Sequence, residues 1–260
     1  MGRILAIANQ KGGVGKTTTS VNLAGCLAAA EHRTLLVDCD PQSNSTSGVG
    51  LAGDHEHNTY RVLMGDCTAA EAIVQTELSC LDVLPATRDL AGAEVELVSQ
   101  MARETKLRDA LEAVRENYEF ILLDCPPSLG LLTLNALTAA DAVLIPLQCE
   151  YYALEGLSQL MGTIELVRKH LNPELELDGI LLTMADSRNN LSHQVVEEAR
   201  EHFGAKVYEA MIPRNVRLSE APSHGKPIIL YDISSRGAES YLALTREFLA
   251  RTGETMTGAS

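Results

Sequence analysis

Apolar residues along this chain fall into short runs separated by stretches with helical spacing. The runs Ile4–Ala8, Thr34–Asp38, Leu81–Pro85, Phe120–Asp124, Ala142–Leu147, Gly179–Thr183 and Lys206–Ile212 are predicted strands. Several are apolar at successive positions rather than at alternate ones, which suits strands covered on both faces in a parallel sheet. Between them Lys16–Ala30, Lys106–Asn117, Leu154–His170 and Ser192–Phe203 repeat apolar residues at helical spacing, and Ala238–Ala250 closes the pattern. This alternation predicts an α/β fold, a doubly wound and mostly parallel sheet that places ligands at the carboxyl ends of its strands. No linker, low-complexity tract or internal repeat interrupts it. One domain over residues 1–252 is expected, followed by a small, polar, frayed tail over 253–260.

The polar residues gather where such a sheet binds ligands. Gln10-Lys11-Gly12-Gly13-Val14-Gly15-Lys16-Thr17-Thr18 follows the first predicted strand and opens the first predicted helix. Strand, glycine-rich turn, Gly-Lys-Thr and helix together make the context a phosphate-binding loop requires. Glycines let backbone N–H groups turn toward phosphates, and the helix N-terminus adds unpaired donors and a favourable dipole. Lys11, Gly12, Gly13, Val14, Gly15, Lys16, Thr17 and Thr18 are therefore the candidate nucleotide-binding residues. Lys16 is expected on the β- and γ-phosphates, with the Thr17 hydroxyl on Mg²⁺.

Two more predicted strands end in acid. Thr34-Leu35-Leu36-Val37 runs into Asp38-Cys39-Asp40, and Ile121-Leu122-Leu123 runs into Asp124-Cys125-Pro126-Pro127. A surface aspartate closing one strand is unremarkable, but two such ends beside a phosphate loop point to a site. Mg²⁺ takes one or two carboxylates plus phosphate oxygens and keeps waters, so Asp124 fits the role of holding a metal-bound water.

Composition narrows the classes. The chain has 260 residues, 45% hydrophobic and 22% charged, the profile of an ordinary globular domain. Its formal net charge of −14 argues against a generally sticky nucleic-acid binder, though a local basic patch is compatible with it. Trp is absent and Phe is scarce, so an aromatic platform for single strands is not expected. No apolar run has the length to span a bilayer, and the start of the chain lacks a secretory pattern. The six cysteines form no Cys-x-x-Cys pair, which favours reduced and mostly buried thiols.

In the loop, Gln10 stands where the usual pattern has glycine, and Lys11 is a second lysine beside it. That lysine resembles the signature lysine of the deviant Walker A ATPases, the group containing ParA, MinD and the nitrogenase iron protein. Asp40-Pro41-Gln42-Ser43-Asn44, Leu90-Ala91-Gly92-Ala93-Glu94, Cys125-Pro126-Pro127-Ser128-Leu129-Gly130, Gln148-Cys149-Glu150-Tyr151-Tyr152 and the run from Ile212 to Pro222 all resemble the chromosomal ParA/Soj family. The resemblance covers roughly residues 2–250.

It implies a Mg²⁺-dependent ATPase, with ATP and Mg²⁺ as cofactors, that forms a homodimer on ATP. Such a dimer binds double-stranded DNA without sequence preference and is stimulated by a ParB-like centromere-binding protein. By the same resemblance Lys11 reaches the partner's nucleotide, and Lys11, Lys16, Asp40 and Asp124 are the catalytic set. Asp40 orients the attacking water and joins Thr17 and Asp124 in the metal shell, which Asp38 supports. Pro213 and Asn215 contact the base, and Met184 ends a strand facing that site. Arg188 and Arg217 match DNA-binding positions, although each has an acidic neighbour, Asp186 or Glu220, that offers a plain ion pair instead. A cytoplasmic, nucleoid-associated protein with no membrane partner is the expectation. A MinD-like membrane ATPase is the nearest alternative, if the apolar face of the last helix lies on lipid rather than on the domain. An iron–sulfur reductase using Cys125, and a scaffold only gated by ATP, are the others.

Overall fold

The computed structural model describes residues 2–150, 153–186 and 189–253. The strands are β1 (Arg3–Ile7), β2 (Thr34–Asp38), β3 (Val74–Gln75), β4 (Leu81–Leu84), β5 (Phe120–Asp124), β6 (Ala142–Gln148), β7 (Glu176–Ala185) and β8 (Val207–Pro213). They form one sheet in the spatial order β3-β4-β2-β5-β1-β6-β7-β8. Every pairing is parallel except β3 with β4.

The continuous apolar runs have the cause expected for a sheet wound on both sides. Positions of β2, β5 and β6 are buried throughout. Alternate residues feed two separate cores, with Ile4, Ala6, Leu35 and Val37 in one and Leu5, Ile7 and Leu36 in the other. The first core is closed by helices Leu131–Ala139, Ala153–His170 and Asn190–Phe203 through Leu132, Leu137, Leu157, Leu160 and Val195. The second is closed by helices Lys16–Ala29 and Arg236–Thr252 through Leu23, Leu27, Tyr241, Leu244 and Phe248. The apolar face of the last helix is thus taken up by the domain, with Leu244 and Phe248 fully buried.

Departures from the predicted elements have local reasons. Strand β3 is too short and polar to leave a pattern. The helix predicted over 106–117 stops at Glu112, and a separate single turn covers Arg115–Asn117. Helix Leu131–Ala139 was absent from the prediction because it is buried nearly all round and has no polar face to give a period. Its Asn135 is satisfied inside, accepting from Leu107 N at 3.1 Å and donating to Arg103 O at 2.8 Å. Of the positions singled out above, Tyr151, Tyr152, Arg188 and the tail from 254 to 260 lie outside the described residues.

Sheet register sets the functional edge. Ile7 and Asp38 both lie level with Asp124, so β1, β2 and β5 end together.

Candidate nucleotide site

The loop after β1 is held from beneath. The Asn9 amide donates to Pro146 O at 2.8 Å, and its Oδ1 accepts from Lys11 N at 3.0 Å. Val14 is buried, and its carbonyl accepts from the Thr183 hydroxyl at 2.8 Å. Gly13 and Gly15 have φ of 73° and 88°, which a side chain would strain. Gly15 precedes helix Lys16–Ala29 without any side-chain cap, so the first-turn amides remain available for an anion. A Cβ at Gly13 would meet nothing within 4 Å, so open space lies in front of the loop. This uncapped, glycine-lined helix start fits a polyphosphate.

Lys16 is buried, and its ammonium donates to the Lys11 carbonyl at 3.0 Å. Burial lowers its pKa, while the charges of Asp124 and Asp40 act the other way. An ammonium held this way gains from a phosphate that replaces its lost water. Lys11, by contrast, is exposed. Its Nζ lies 3.1 Å from Glu150 Oε2, and Arg214 reaches the other oxygen at 3.3 Å. Gly12 is exposed beside it.

Asp124 is fully buried among hydroxyls. Ser20 donates to Oδ1 at 2.9 Å and Ser45 donates to Oδ2 at 2.5 Å. Burial raises its pKa against the hydroxyls of Ser45, Thr17 and Ser20. Next to it Asp38 is also fully buried. Asp38 accepts from the Thr46 amide at 2.8 Å, the Thr46 hydroxyl at 2.7 Å and the Asp40 amide at 3.1 Å. Its pKa is pushed up to about 7, first by burial and then by the Asp124 charge. Asp40 is nearly buried and accepts from Gln42 N at 2.9 Å. A carboxylate cluster with hydroxyl partners, including Thr17, is a donor set suited to a hard divalent cation.

A cavity of about 410 Å³ continues from the loop. Gly15 and Thr18 line its phosphate-loop end, with Met184, Pro213, Asn215 and Leu218 further out. Met184, at φ 51°, sits in the left-handed region as β7 finishes. The Asn215 side chain caps helix Val216–Glu220 by accepting from Arg217 N at 2.9 Å. Arg217 itself is half-exposed and paired with Glu220 at 2.9 Å and Asp232 at 3.3 Å.

The structure therefore brings together Lys11 to Thr18, Asp38, Asp40 and Asp124, with the cavity of Met184, Pro213 and Asn215 adjoining. Arg217 stands on the surface behind the cavity, and Arg188 lies outside the described residues. Sequence reasoning missed Ser20, Ser45 and Thr46, which fix the two strand-end aspartates. Ser45 and Thr46 come from the short helix Asn44–Gly48, and the only sequence signal for it is the turn-forming Asp40–Asn44 stretch before it. Cys125 is fully buried, with burial raising its thiol pKa, so it behaves as a small core residue.

Comparison with known proteins agrees with this geometry. A family described as AAA domain matches residues 2–177. The chromosome partitioning protein ParA of Myxococcus xanthus is 64% identical over 252 residues, covering 96% of this chain and 89% of that protein. The sporulation initiation inhibitor protein Soj of Bacillus subtilis is 62% identical, covering 96% and 99%. Among solved structures, a Mycobacterium smegmatis protein named cobyrinic acid a,c-diamide synthase, with bound ADP and magnesium, is 37% identical with a TM-score of 0.85 over 100% of both chains. The cell division ATPase MinD of Pyrococcus furiosus is 27% identical with a TM-score of 0.81, covering 96% and 99%.

Proposed function

This chain belongs to the ParA/Soj family of chromosome-partitioning proteins, and from that premise we propose that it is a Mg²⁺-dependent ATPase whose ATP-bound form dimerises and holds DNA. Hydrolysis, stimulated by a ParB-like centromere-binding protein, then releases it. The carrying observation is the junction of an uncapped glycine loop with two buried strand-end aspartates and an adjoining cavity. That combination accounts for phosphates, metal and nucleoside in one continuous site.

Phosphoryl transfer asks mainly for positioning and for stabilisation of charge. The first-turn amides and Lys16 bind the phosphates. Thr17, Asp124 and Asp40 would hold Mg²⁺, which would supply positive charge against the phosphates. Asp40 orients water, and Ser20, Ser45 and Thr46 keep the carboxylates in place. Pro213, Asn215 and Met184 wall the base. Exposed Lys11 gives up Glu150 to reach the nucleotide of a second copy. Dimerisation answers how a chain of net charge −14 binds DNA, because two weak patches act together once ATP joins them.

Arg217 supplies DNA contacts, its guanidinium pairing with phosphate oxygens whatever the base. Arg188 is proposed to do the same. The last helix spends its apolar face on the core, which counts against its use as a membrane anchor. Among the described residues, no helix is long and apolar enough to cross a membrane. The protein acts in the cytoplasm, at the nucleoid. The test is binding to a random-sequence duplex with ADP and with ATP. Binding should appear only with ATP and fall steeply with salt. Arg217→Glu should remove it while nucleotide affinity stays; equal DNA affinity of the variant at matched salt would defeat the assignment.

A further inference from the structure

The Leu90–Glu94 motif takes no part in the phosphate loop, the strand-end aspartates or the cavity. It lies on helix Leu90–Glu96, anchored by buried Leu90 and Ala93. The half-buried Glu94 carboxylate reaches across to another element. One oxygen accepts from Leu131 N at 2.9 Å, and the other from Leu132 N at 3.4 Å. These are first-turn amides of helix Leu131–Ala139, whose own preceding residue, Gly130, provides no side-chain cap. A carboxylate there also meets the positive end of the helix dipole.

Gly130 is matched to this contact. A Cβ at that position would lie 2.3, 2.5 and 2.7 Å from the two oxygens and Cδ of Glu94. The φ of Gly130 is −77°, so glycine is needed for room and not for backbone freedom. Residues 125–130 run from Asp124 to this cap. Within them the Ser128 carbonyl accepts from the Thr133 hydroxyl at 2.6 Å. A Cβ placed on Gly12 of the phosphate loop would lie 4.0 Å from Pro127 Cβ. The segment therefore passes beside the loop with one end on Asp124 and the other on Glu94.

We propose that Glu94 is a positioning residue for ATP hydrolysis, fixing the far end of the 125–130 segment so that its near end stays set beside the phosphate loop. This rests on the ATPase reading above. Among the described residues the Glu94 carboxylate bonds to Leu131 and Leu132 and not to the nucleotide-binding loop or the aspartates, so its loss should leave ATP binding intact and slow the chemical step.

The experiment compares Glu94→Ala, Glu94→Gln, Gly130→Ala and the double variant Glu94→Ala/Gly130→Ala. Glu94→Ala should lower kcat about tenfold with KM within about twofold, the scale of one lost cap expressed in the barrier. Glu94→Gln, which keeps an acceptor oxygen, should lose less. Gly130→Ala should match Glu94→Ala, and in the double variant the second change should add nothing, because the collision needs the carboxylate. Hydrogen exchange of the 125–133 region should quicken in Glu94→Ala, with residues 11–20 unchanged. Unaltered exchange there, or additive losses in the double variant, would overturn the proposal. If the parent chain releases no phosphate from ATP, the ATPase reading fails, and the exchange measurement still decides whether Glu94 fixes the segment.

Discussion

At the amino end of the sheet, Asp178 accepts from Arg3 at 2.9 Å and from the Tyr208 hydroxyl at 2.6 Å, while Arg251 lies 3.8 Å from the Tyr208 ring. At the carboxyl end, Asp124 is buried more deeply in the same sheet, yet its partners are hydroxyls and its charged neighbours are Asp38, Asp40 and Lys16. Burial raises the pKa of both. For Asp178 the opposing influences are Tyr208 and then Arg3. For Asp124 they are Ser45, Thr17 and Ser20, and the Asp40 charge pushes further upward. The first carboxylate is paired with cations of the fold. In the second cluster three carboxylates share one ammonium, that of Lys16, an excess of negative charge that a bound cation would reduce.

The sharpest break should come at Lys16. Lys16→Ala removes the buried ammonium that faces the acidic end, and ATP affinity should fall at least about a hundredfold, on the scale of lost charged hydrogen bonds. Titration with a fluorescent nucleotide measures it, and undiminished affinity would remove the loop from the site.

Next is the opposite edge. Arg3→Ala leaves Asp178 buried without its cation and should cost about 2 kcal/mol of stability, less than a fully buried pair because Arg3 is part-exposed. Asp124→Asn, measured without nucleotide or Mg²⁺, should cost much less or stabilise. Denaturant unfolding compares the two, and equal losses would erase the distinction between the edges.

The smallest effect is a pH slope. Asp38 binds its proton more tightly folded than unfolded, so its contribution to stability is complete below about pH 4 and is lost as pH rises to about 7. Without Mg²⁺, Asp38→Asn should flatten the decline in stability across that window. A decline of the same steepness in the variant would assign it to other groups.

Much of this was legible in the chain. The phosphate loop and both strand-end aspartates lie beside apolar runs that the sheet aligns, so local pattern was enough to find them. Their support was not legible. Ser20 lies on the first helix, 104 positions from Asp124, and Ser45 is 79 away; only the register of β1, β2 and β5 makes them neighbours. Glu150, 139 positions from Lys11, is hidden for the same reason. Helix Leu131–Ala139 left no period because both its faces are covered. The motif at Leu90–Glu94 was visible as a resemblance, but its physical use appears only where Glu94 meets the vacant side of Gly130.

Phosphate release from ATP, with and without Mg²⁺, by the parent chain and by Asp124→Asn tests the central claim most directly. The parent should turn over ATP only with Mg²⁺, and the variant should lose that turnover while remaining folded. Metal-independent release, or a variant as active as the parent, would contradict the account.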